Sequence, residues 1–182
     1  MSKWEKAMMV IIWIVFIFYI MFLLKMLFFS RISITDLFDS NRYIERRINL
    51  IPFSTMSEFL FGHNGDLKSS AFVNIVGNML IFAPFGFYLA LFNKKDKIIT
   101  VLLSIFMVTV AAEIIQWSLA IGVADIDDVI LNTVGGFVGI LIFKLINVII
   151  KGKKKVSTVC AFLSLLCLPF IIYYLFFIML KL

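Results

Sequence analysis

Five runs of roughly 20 mostly apolar residues dominate this chain, at about 7–29, 71–92, 97–121, 128–150 and 156–180. A helix of that length crosses the hydrocarbon core of a bilayer. Lipid offers no partner to a bare backbone N–H or C=O, so each run is expected to be a transmembrane helix that satisfies its own backbone. The composition agrees: 63% of the 182 residues are hydrophobic, against about half in a soluble domain. The expected fold class is all-α, a polytopic membrane protein built as a bundle of about five transmembrane helices, with a re-entrant or interfacial segment after the first. The first run follows Lys3 and Lys6. It is long for a signal-peptide core and lacks a small-x-small cleavage site, so it reads as an uncleaved anchor.

The net charge of +6 does not point to nucleic acid, because the basic residues fall in short linkers between apolar runs. Lys3 and Lys6, then Lys94, Lys95 and Lys97, then Lys151 and Lys153 to Lys155 all lie on one side if five spans alternate. The positive-inside rule makes that side cytoplasmic. The N-terminus is then cytoplasmic and the C-terminus extracytoplasmic, with segment 30–70 and the acidic stretch at 125–128 outside. Within 30–70, Leu37, Phe38, Tyr43 and Ile44 alternate with Asp39, Arg42 and Glu45, a pattern suited to a helix lying on the membrane surface. Asn49 and Pro52 belong to an extended stretch. Thr55-Met56-Ser57-Glu58 reads as a capping box that opens a short helix ended by Gly62.

Three spans carry polar residues that hydrocarbon excludes. Asn74 and Asn78 are four apart and share a face; Glu113 and Gln116 are three apart; Asp128 and Asn132 are four apart, with Asp125 one turn earlier. Asp127 points off that face and is expected to cap the fourth span or meet solvent. At about 1.5 Å per residue, Asn74, Asn78, Glu113, Gln116 and Asn132 fall roughly 5–12 Å below the same surface, with the aspartates above Asn132, although their spans run in different directions. The expectation is a shared polar pocket opening outward, lined by Asn49, Asn74, Asn78, Glu113, Gln116, Asp125, Asp128 and Asn132. The competing reading is that these groups only hold helices together. Gly135 and Gly139, with Gly136 beside them, suit close helix packing. Pro84 is expected to kink the second span, with Gly86 following.

Other features carry less. Cys160 and Cys167 are two helical turns apart, too far to bridge, and read as small core residues. His63, in a polar loop, reads as a turn residue. No C-x-x-C, H-E-x-x-H, G-x-S-x-G or phosphate-binding glycine loop is present, so no cofactor and no metal are expected.

Taken together, Asn49-Leu50-Ile51-Pro52-Phe53, Asn74-Ile75-Val76-Gly77-Asn78, Phe82-Ala83-Pro84-Phe85-Gly86, Glu113-Ile114-Ile115-Gln116 and Asp125-Ile126-Asp127-Asp128-x-x-x-Asn132-x-x-Gly135-Gly136 resemble the VanZ-like family of bacterial membrane proteins, named for a teicoplanin-resistance protein. The resemblance runs over about 49–143 within a single domain of 1–182. Ala124 departs from the aromatic that many relatives place before the first Asp. The family implies a multi-pass protein of the bacterial plasma membrane. The expected function is an outward-facing polar and acidic pocket that engages a cell-envelope ligand and contributes to glycopeptide resistance. Its expected partners are membrane lipids and a lipoglycopeptide or lipid-linked cell-wall precursor, with no nucleic acid. Non-enzymatic action is the favoured reading. The alternative is an intramembrane enzyme acting on a lipid or cell-wall precursor through the Asp/Glu cluster, with or without a divalent metal. A carrier coupled to Glu113 ranks below both, because there is no inverted repeat.

Overall fold

A computed structural model describes residues 2–29, 46–93, 97–150 and 153–175. The surface helix expected around residues 37–45 lies outside the described residues, as do Lys94, Lys95, Lys151 and the chain beyond 175. In chain order the elements are α1 (Lys3–Phe28), β1 (Arg47–Asn49), α2 (Ser54–Phe61), α3 (Gly65–Phe92), α4 (Ile98–Ser118), β2 (Val123–Asp125), α5 (Ile126–Ile149) and α6 (Lys153–Tyr173). Among the described residues, five of the six helices, all except α2, are long and apolar enough to cross a membrane. The fold class is all-α, that of a multi-pass membrane protein.

The helix ends follow from local chemistry. Helix α1 starts four residues earlier than its hydropathy implies, because Ser2 and Glu5 close a capping box: Glu5 N donates to Ser2 Oγ at 3.2 Å, and Ser2 N donates to Glu5 Oε2 at 2.8 Å. Helix α3 likewise starts at Gly65 and not near 71, because Asn64 Oδ1 accepts from Asp66 N and Leu67 N. Its first turns are polar and its apolar body begins later. Helix α4 stops at Ser118, three residues short of the expected end, where Ala120 adopts φ 50 and the chain turns into β2. Helix α3 runs on through Pro84.

By their internal packing the helices form two units. One takes α1 and the chain from Lys144 on. The buried residues of α1 are Ile12, Val15, Tyr19 and Leu23, spaced three and four apart, so they form one stripe. Helix α1 contacts α6 through a hydrogen bond from Trp4 Nε1 to Thr158 Oγ1 at 2.9 Å, and Phe22 pairs edge-on with Tyr174 just beyond the end of α6. Cys160 is buried in α6, as expected of a small core residue, whereas Cys167 is exposed.

The other unit runs up to Phe143 and holds the polar residues. Here α3 and α5 meet backbone to backbone. A β-carbon on Gly139 would overlap the carbonyl of Ala83, one on Gly135 would overlap Met79, and one on Gly86 would overlap Gly136. Such close approach is how helices associate where lipid removes the hydrophobic drive between them. On the other side of Gly136 lies the Ile105 side chain of α4, itself fully buried. Outside the helices, β1 and β2 form a two-stranded parallel sheet with Arg47 opposite Val123, Ile48 opposite Ala124 and Asn49 opposite Asp125.

Candidate functional site

The start of α3, the end of α4 and the start of α5 converge, and two adjacent carboxylates on α5 organise what surrounds them. Asp128 faces α3: its Oδ1 accepts from Asn78 Nδ2 at 2.6 Å and from Asn74 Nδ2 at 3.2 Å, and Asn78 also donates to Asn74 Oδ1 at 3.0 Å. The four-residue spacing that put the two amides on one face delivers both to a single carboxylate oxygen.

Asp127 neither caps α5 nor meets solvent. It is fully buried and accepts from Phe53 N at 2.5 Å, Thr55 N at 2.7 Å and Ser54 Oγ at 3.3 Å. It is thus the cap of α2, supplied from a distant part of the chain. This corrects the capping-box expectation as well: α2 opens at Ser54, and Phe53, its N-cap residue, makes no side-chain cap bond of its own. Phe53 also holds φ 64, a left-handed conformation that a bulky side chain rarely adopts. The carboxylate bond to its N–H supports that conformation. The C-terminal expectation holds, because Gly62 ends α2.

The residue that caps α5 is Asp125. Its Oδ1 accepts from Asp127 N at 2.9 Å, the usual reach from N-cap to second helical residue. Its Oδ2 accepts from Asn49 Nδ2 at 3.1 Å, and Asn49 also donates to Ser54 Oγ at 2.9 Å. Glu113, buried on α4, receives Asp125 N on Oε2 at 3.0 Å. One connected set therefore runs from Asn49 through Asp125 to Glu113 and Asp127. Asp128 with Asn74 and Asn78 stands beside it.

Asn132 lies apart from both sets. It is 1% exposed, its Nδ2 donates to Thr109 Oγ1 at 2.9 Å, and its Oδ1 has no hydrogen-bond partner. Gln116 is half-buried one turn beyond Glu113, and its carbonyl accepts from Ile121 N at 3.0 Å. Among the structural candidates, Pro52 precedes the left-handed Phe53, Pro84 lies within α3, and Gly86, Gly135 and Gly136 sit where α3 and α5 touch. Among the described residues no group of three or more His, Cys, Asp and Glu side chains is arranged to hold a metal ion.

Beside this network is a groove of about 290 Å³, lined by Ile48 of β1 and Leu50 just after it, from α4 by Val110, Glu113, Ile114 and Trp117, and from the β2–α5 junction by Ala124, Asp125, Ile126 and Val129. Its walls are apolar except for Glu113 and Asp125. Of the residues expected in one pocket, these two line the groove, whereas Asn74, Asn78 and Asp128 bond to one another. Arg46 lies with its guanidinium 5.9 Å from the centre of the Trp117 ring and donates to the Ser118 carbonyl at 3.4 Å. Sequence reasoning missed the role of Asp127, because its main partners are backbone N–H groups, which leave no signature in residue type. It missed the apolar walls because, inside a membrane span, apolar residues are unremarked.

The sequence profile of the VanZ/LLP1 family matches residues 16–147 of this chain. Protein VanZ of Enterococcus faecium is 33% identical over 132 residues, which cover 72% of this chain and 73% of that protein. No solved structure matches.

Proposed function

This chain belongs to the VanZ/LLP1 family of membrane proteins, and from that premise we propose that its groove takes the acyl portion of an envelope amphiphile and so contributes to teicoplanin resistance. The supporting observation is the chemistry of the groove: eight apolar or alanine side chains and two carboxylates around about 290 Å³. That volume is at the small end of ligand sites, which run from about 300 to 1,000 Å³. It suits a segment of hydrocarbon and excludes a whole glycopeptide headgroup. A ligand seated there keeps its polar part at the surface where β1 and α2 lie, which on the positive-inside reading faces outward.

The reading is non-catalytic. Asp125, Asp127 and Asp128 each accept hydrogen bonds from side-chain amides or backbone N–H groups. That arrangement uses a carboxylate as a fixed acceptor and does not free it to move a proton. The test is teicoplanin susceptibility of cells overproducing either wild type or Ile114→Trp, at equal membrane abundance. Ile114 lines the groove and is 58% exposed, so the larger ring fills the groove without entering the core. Wild type is expected to lower susceptibility and the variant to lose that effect. Equal protection by both proteins excludes the groove from the mechanism.

A further inference from the structure

Residues 46, 48 and 50 alternate along the extended segment that contains β1, so Arg46, Ile48 and Leu50 share one face. Ile48 and Leu50 line the groove. Arg46 reaches the same rim by a second route, resting against Trp117, which also lines the groove. A guanidinium offers five N–H donors in a planar fork suited to phosphate oxygens. Here one of them is given to the Ser118 carbonyl. The setting is the membrane interface. Trp117 stands at the last turn of a span, where tryptophan favours the headgroup layer. Outside the five spans, Leu50 is 72% exposed, Phe53 54% and Phe61 74%.

We propose that the groove is a phospholipid site, with part of an acyl chain among Ile48, Leu50, Val110 and Ile114, and the anionic phosphate held by Arg46 braced on Trp117. The two carboxylates in the lining have hydrogen-bond partners of their own. Asp125 is turned to Asn49 and to Asp127 N, and Glu113 is buried and accepts Asp125 N. The proposal rests on reading the groove as the ligand site and adds the class of ligand.

The experiment uses the full chain in detergent micelles, with Trp4→Phe and Trp13→Phe so that Trp117 is the sole tryptophan. Its fluorescence is titrated with phosphatidic acid brominated on its acyl chains, with diacylglycerol carrying the same chains, and with inorganic phosphate as competitor. Saturable quenching by phosphatidic acid is expected, at a concentration at least about tenfold below that for diacylglycerol, since charge-assisted bonds to a guanidinium are lost without the phosphate. Arg46→Gln should erase the difference between the two lipids, and Arg46→Lys should keep part of it. Inorganic phosphate should not displace the lipid. Equal saturable quenching by both lipids in the wild type overturns the headgroup assignment and leaves the groove reading standing. Quenching that rises without saturation for either lipid overturns both. Displacement by inorganic phosphate alone makes Arg46 a simple anion site and also overturns the proposal.

Discussion

Asp127 caps a helix 72–74 residues away in the chain. Asp127→Ala removes the acceptor for two backbone N–H groups and the Ser54 hydroxyl. A buried donor left without a partner costs about 1–3 kcal/mol. Two opposing effects reduce the sum. The 53–55 turn is only part-buried, so water satisfies some of what is lost, and the substitution also removes a buried charge. The expected loss is about 1–3 kcal/mol in the docking of α2, equivalent to roughly 5- to 150-fold in its opening equilibrium. Hydrogen exchange measured by mass spectrometry on the full protein in detergent reads this directly: the peptide covering 53–61 should exchange faster by that factor, while the centres of α3 and α5 stay protected. Asp127→Asn should approach the same result, because its NH₂ group turns a donor toward donors. Asp128→Ala serves as the control. It acts on Asn74 and Asn78 and should leave 53–61 near its wild-type rate. If exchange at 53–61 were unchanged in Asp127→Ala, the carboxylate would not be what holds α2.

Further outcomes follow from the packing. Gly139→Val should prevent α3 and α5 from meeting at Ala83 and cost about 3 kcal/mol or more, seen as loss of folded protein in size-exclusion profiles; Gly77→Ala, where a β-carbon meets nothing within 4 Å, should stabilise by about 0.5–1 kcal/mol. Asn132→Leu alone should destabilise modestly by stranding the Thr109 hydroxyl, whereas Asn132→Leu with Thr109→Val should be close to neutral in thermal melting, since both partners go and the unpaired Asn132 Oδ1 goes with them. A double-mutant cycle between Asn78 and Asp128, joined at 2.6 Å, should give a coupling of about 0.6–1.7 kcal/mol in denaturant titrations; a value near zero would remove that bond from the forces holding α3 to α5.

Much of the architecture was legible in the residues. The spans were, because hydropathy over some 20 residues is a property of the chain itself and lipid enforces it. Span ends were less so: Ser2 with Glu5, and Asn64, extend α1 and α3 into polar sequence that hydropathy counts as loop. The small-residue spacing of Gly135 and Gly139 announced a close helix contact, yet nothing in it named Ala83 and Met79 as the surface that needs it. At the polar end, helical spacing paired Asn74 with Asn78, and the same reasoning set Asp127 aside because it fell off the face shared by Asp125 and Asp128.

By itself, then, the sequence determined which segments lie in lipid, which polar residues share a helical face, and that amides and acids from three spans sit near one surface. Only the tertiary structure decided which acid does what: Asp125 caps its own helix, Asp127 caps α2, Asp128 gathers two amides, and Glu113 holds the end of β2. Hydropathy and periodicity are local sums along the chain. A hydrogen bond to a backbone N–H more than seventy residues away depends on the path of the chain between, and any residue but proline can supply that donor.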